Sequence, residues 1–151
     1  TDPDSTSDQQ LMSPSISLPS GQSPLTLQFF HYRDMEERSA GGCYDAGVIE
    51  VSTDGGGNWT AIPDAALLTD PYTGAIQSGN VLVGRNGWCN LKTWTYSVVN
   101  LDAYAGQNAR FRFRLTSDSS VGAEGWYIDD VRVQSCTAPL SPDLIFRNGF
   151  E

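Results

Sequence analysis

The sequence holds one histidine, nine basic residues against 18 acidic ones, and three cysteines, and each shortage removes a class of function. A net charge of -9 leaves no basic surface for phosphates, so nucleic acid is not an expected partner. A membrane-spanning helix needs roughly 18 or more consecutive apolar residues. No such run occurs, and no membrane span is expected. The lone His31 stands between Phe30 and Tyr32 in an apolar stretch, where it reads as a structural residue. One histidine supplies neither the convergent ligands of a zinc cluster nor a triad. Missing too are a G-x-S-x-G elbow and a phosphate-cradling G-x-G-x-x-G, since Gly55-Gly56-Gly57 belongs to a hairpin. Asp129 and Asp130 are adjacent carboxylates, but neighbours on a strand point to opposite faces. A glycosidase pair would then need a distant partner such as Glu124 or Glu50. No catalytic residue is expected, and the chain reads as a non-enzyme. It opens at Thr1 without a basic n-region and apolar h-region, and reads as a fragment of a longer, processed protein.

What is present is period-two alternation. The segments Leu25 to Tyr32, Gly47 to Ile62, Trp94 to Leu101, Asn108 to Leu115 and Trp126 to Gln134 all alternate as strands with one dry face. Asp54-Gly55 supplies a turn in the second of these, with Asp54 as a turn residue. Val81 to Val83 is a further strand candidate, Asn86-Gly87 a turn, and Leu101 to Gly106 a helical turn or tight loop. Pro14, Pro19 and Pro24 restrict the first 24 residues to short edge strands. The loop after Tyr32 has room for a short helix that Gly41-Gly42 would stop. No helical period persists, so the expected fold is all-β, a two-sheet antiparallel jelly-roll sandwich. Its 151 residues suit one domain, read as 1–136, followed by a spacer and short tail at 137–151.

Three cysteines allow a Cys43–Cys89 bridge with Cys136 left over, as in an exported domain, or three free thiols in a reducing compartment. Five acidic residues, Glu36, Glu37, Asp45, Asp129 and Asp130, are candidate ligands for a structural calcium ion, which takes six to eight oxygens. The competing reading pairs solvated acids with Arg110, Arg112 or Arg114.

Four blocks carry a family resemblance: SDQQLMSPSISLP from Ser7, LTLQFFHYRDME from Leu25, YDAGVIEVSTDGGGNW from Tyr44, and VNLDAYAGQNARFRFRLTSDSSVGAEGWYIDDVRV from Val99. In order and spacing they resemble the MAM-like, choice-of-anchor J β-sandwich modules appended to secreted bacterial metallopeptidases of the fungalysin-like and immune-inhibitor-A-like kinds. The resemblance implies a monomeric, extracellular jelly-roll accessory domain, partnered by a parent catalytic domain and lying outside its active site. It also implies a calcium role for Glu36, Asp45, Asp129 and Asp130, with Glu37 beside them. Ala46 departs from the family's second glycine without consequence. Cys43 and Cys89 are additions to the pattern and support a disulfide of this chain's own. The closing LIFRNGFE resembles the last residues of many exported proteobacterial proteins, so the extreme C-terminus of a precursor is expected there.

Two purposes compete: a calcium-stabilised accessory domain of a secreted hydrolase that assists placement on protein or polysaccharide substrate, and a carbohydrate-binding module. The second needs an exposed row of aromatics beside a polar groove. Trp59, Trp88, Trp94 and Tyr72 are the rings on offer. Their large apolar area argues for burial of Trp94 and Trp126, with Trp88 exposed in its loop.

Overall fold

The computed structural model describes residues 5–135. Ten strands and two single 3-10 turns make up its regular structure: β1 Ser7–Met12, β2 Ile16–Ser17, β3 Leu25–Asp34, β4 Ala46–Ser52, β5 Thr60–Ala61, β6 Gly74–Ala75, β7 Asn86–Gly87, β8 Lys92–Asn100, β9 Asn108–Ser117 and β10 Gly125–Ser135, with the turns at Asp64–Ala66 and Asp102–Tyr104. The alternating segments fold as strands and no α-helix forms among the described residues. The domain limit at 136, Cys136 and the LIFRNGFE tail lie outside them.

One sheet runs β1-β9-β4-β5, with β2 also on β9; the second runs β10-β3-β8; β6 and β7 form a small ribbon. Every ladder joining these strands is antiparallel. In β9, Ala109, Phe111, Phe113 and Leu115 point inward while Arg110, Arg112 and Arg114 point to the other face, half-buried. In β3, Leu25, Leu27, Phe29, His31 and Arg33 turn inward. The two dry faces meet: the Phe29 and Phe113 rings lie 5.1 Å apart and edge-on, and Phe113 reaches Trp126 at 5.8 Å. The result is an all-β, sandwich-like fold with an additional ribbon.

Several local expectations need correction. Val81 to Val83 is a turn, because the buried Asn80 side chain donates to Tyr44 O and Thr116 O and accepts from Leu82 N, which replaces any ladder. Asn86-Gly87 is a strand of the ribbon. The loop after β3 folds back through an isolated Glu37–Cys43 bridge and has no helix. The expected Cys43–Cys89 disulfide, by contrast, is present and lies inside the core.

Trp88 and Trp94 exchange the places expected of them. Trp88 is fully buried against Phe29, His31, Tyr72 and Trp126, and its indole N–H donates to Asp70 O at 2.9 Å. Trp94 stands on the outer face of β8, 54% exposed, because β8 turns Ser97 and Val99 inward. Trp126 is partly buried, as its size predicts, and covers Gly47, where a Cβ would come within 2.7 Å of the ring.

Candidate functional site

The acidic site forms where β4 begins and β9 ends. The β4–β9 register pairs Ala46 with Thr116, so Asp45 and Asp118 lie just beyond the same end of one ladder. The Asp118 N–H donates to Asp45 Oδ1 at 2.7 Å. The loop after β3 brings the third carboxylate, since the Tyr44 and Asp45 N–H groups both donate to Glu36 O. One carboxylate oxygen from each of Glu36, Asp45 and Asp118 lies within 4.8 Å of the others. Asp45 is fully buried and the other two are half-buried. Glu36 Oε2 is closed to solvent and accepts no hydrogen bond among the described residues. Burial, followed by the charges of Asp118 and Asp45, pushes the Glu36 carboxyl above its ordinary value. A buried acceptor among like charges is costly without a proton or a cation. The cluster can therefore hold a metal ion, and an all-oxygen donor set suits a hard one.

Of the five ligands expected from the sequence, Glu36 and Asp45 come together here. Glu37, one residue along, is exposed. Asp129 and Asp130 lie on β10 in the other sheet and are not part of this cluster. Asp118 was missed. Its signal was its place one residue past a strong strand, which becomes informative only once the partner strand is known.

Asp129 and Asp130 also fail to point to opposite faces. Asp129 pairs with Phe30 and Arg132 with Gln28, leaving two β10 residues opposite Phe29 alone. Asp130 takes φ 51° in this bulge, a left-handed conformation that aspartate tolerates. Both carboxylates are exposed and line one shallow groove with Phe30 and Trp94. Arg110, Arg112 and Arg114 are engaged elsewhere: Arg112 and Arg114 on Glu50, Arg114 also on Asp8, and Arg110 on the carbonyls of Ser13 and Gly55.

The second buried polar centre is structural. His31 Nδ1 accepts from Trp126 Nε1 at 2.9 Å, so the ring proton sits on Nε2, 2.9 Å from Asp70 Oδ2. Ser97 Oγ meets the same Nε2 at 3.0 Å. A triad places its acid and its hydroxyl on opposite ring nitrogens, whereas Asp70 and Ser97 both meet Nε2 here. Desolvation is the largest influence on His31 and lowers its pKa, so the ring stays neutral. Burial would raise Asp70, but hydrogen bonds from His31, Arg33 and Lys92 outweigh it and hold the carboxylate well below its ordinary range.

No family model matches the chain. Over 121 residues, 80% of its length, it is 33% identical to Bacillopeptidase F of Bacillus subtilis (strain 168). The aligned stretch amounts to 6% of that protein. The chain is thus an all-β domain distantly related to a small region of a much larger bacterial peptidase, in keeping with a non-catalytic module.

Proposed function

We propose that the chain is a non-catalytic, calcium-stabilised accessory domain of a secreted bacterial hydrolase, most simply a peptidase. In this reading residues 1–136 form the domain and 137–151 a spacer and tail. The observation that carries it is the match of four-fifths of this chain to 6% of a peptidase. The MAM-like resemblance of the four sequence blocks and the Cys43–Cys89 disulfide support an extracellular setting. Calcium would be held by Glu36, Asp45 and Asp118, tying the loop after β3 to the start of β4 and the end of β9. An ion that binds only the folded chain stabilises it by mass action. The partner is the parent's catalytic domain. Calorimetric titration of chelator-treated protein with calcium chloride tests the site: heat of binding and a raised melting temperature are expected, and the absence of both would sink the calcium assignment.

A further inference from the structure

The outer face of the β10–β3–β8 sheet has no part in the core or the cation cluster, yet it gathers five aromatic rings. Tyr127 pairs with Tyr32 across β10 and β3, their rings 5.8 Å apart. An irregularity in the β3–β8 register sets Trp94 beside Tyr32 at 6.3 Å. On the next rung Phe30 pairs with Tyr96, with ring centres 4.9 Å apart. Trp94, Tyr127, Tyr96 and Phe30 are exposed by 54%, 45%, 39% and 37%, an unusual outlay of aromatic surface on one small face.

Polar groups hold these rings and edge them. Tyr32 donates its hydroxyl to Glu124 Oε2 at 2.9 Å, and Tyr96 to Gln28 Oε1 at 2.5 Å. Tyr32, Trp94, Tyr127 and Glu124 enclose one shallow groove; Phe30, Trp94, Asp129 and Asp130 enclose its neighbour, with Trp94 the wall between. The β10 bulge places both aspartates on this side.

We infer that this face is a stacking platform for a neutral glycan of pyranose rings with equatorial hydroxyls, such as a β-linked glucose or N-acetylglucosamine chain. A sugar of that kind presents an unbroken C–H face to an aromatic ring and hydroxyl donors around its edge. Trp94 and Tyr127 supply the ring faces; Glu124, Asp129 and Asp130 accept from the hydroxyls. Protein interfaces are depleted of acidic residues at their centre, and burying three carboxylates there would require matching cations. A polyol hydrogen-bonds to them without that requirement. The same carboxylates repel anionic polysaccharides. This inference goes beyond the accessory role and draws on nothing in the cation cluster, so either can fail alone.

The test uses the whole chain with cellulose, chitin and their soluble hexasaccharides, and with polygalacturonate as an anionic control. Retention on cellulose or chitin is expected. Trp94→Ala should weaken hexasaccharide binding about tenfold or more, as loss of an aromatic anchor does. Trp94→Phe should restore most of the affinity, and Leu11→Ala, exposed on the other sheet, should leave it unchanged. Should Trp94→Ala not melt cooperatively, Tyr127→Ala is read in its place, with the same loss expected. Absence of binding to both neutral glycans, equal binding by wild type and Trp94→Ala, or preference for polygalacturonate would each overturn the inference. So would a Trp94-dependent dimer in ultracentrifugation without glycan binding.

Discussion

The Asp118 N–H donates to Asp45 Oδ1 across 2.7 Å, linking residues 73 positions apart at one end of the β4–β9 ladder. Asp45 therefore has two tasks, holding the end of β9 and offering its carboxylate to the acidic cluster. Calcium should raise the melting temperature, by about 2.7 kcal/mol of stabilisation at a hundredfold excess over Kd. Asp118→Ala should abolish most of that gain while changing the calcium-free protein little. Asp45→Ala should abolish the gain and lower the calcium-free melting temperature as well. Asp130→Ala, on the other sheet, should keep the full gain. Scanning calorimetry with chelator and with calcium separates these outcomes, and an Asp130→Ala protein without a calcium response would move the site to β10.

Stability should fall as pH drops below neutral, through His31. Its pKa is lowered from 6.5, first by desolvation, with Arg33 and Lys92 adding to the effect and Asp70 opposing it. Below about 6.5 the unfolded chain takes up a proton that the folded chain refuses, so unfolding gains from acid. Asp70, held below its ordinary value, adds a further loss as pH falls under 3.8. Glu36, raised above 4.5, acts with the opposite sign. The difference between wild type and His31→Gln isolates the histidine: the variant should show a flatter melting profile between pH 5 and 7. Parallel profiles would show that His31 does not titrate differently on unfolding.

Glu50 should be a sensitive carboxylate outside the cation cluster. Burial alone would raise its pKa, but hydrogen bonds from Arg85 and Arg112 overcome this and lower it. Arg85 Nη1 reaches Oε1 at 2.6 Å, and Arg112 Nε reaches Oε2 at 2.6 Å and lies over the Trp59 ring. Glu50→Ala would leave these guanidiniums partly buried and uncompensated, at a cost of about 3–5 kcal/mol. Denaturant unfolding reads this directly. A loss within the range of an exposed ion pair, under about 1 kcal/mol, would show that water replaces the carboxylate.

The Cys43–Cys89 bond closes a separation of 46 residues and is wholly buried. Replacing both cysteines by alanine should cost about 2–5 kcal/mol and lower the melting temperature, while native protein should resist mild reductant until it begins to unfold. Thiol titration before and after denaturation checks the second point.

Alternation alone determined a good deal. LTLQFFHY and RFRFRL specify strands and their dry faces, because a period of two leaves one arrangement that buries the apolar set, whereas β4 is buried on both sides. Cysteine arithmetic allowed the Cys43–Cys89 bridge beside three free thiols, and the structure decided for the bridge. Tertiary structure decided the rest. Asp118 joins Asp45 only through the register of strands that are distant in sequence, and no local pattern encodes that register. Trp88 and Trp94 are both large and apolar, so composition cannot say which is buried; strand parity in β8 and the pocket around Phe29 do. One additional residue between Asp129 and Arg132 reverses the alternation of β10 and turns both aspartates toward the exposed rings. A bulge depends on a partner strand, and that physical dependence kept the acidic rim of the aromatic face out of reach of the sequence.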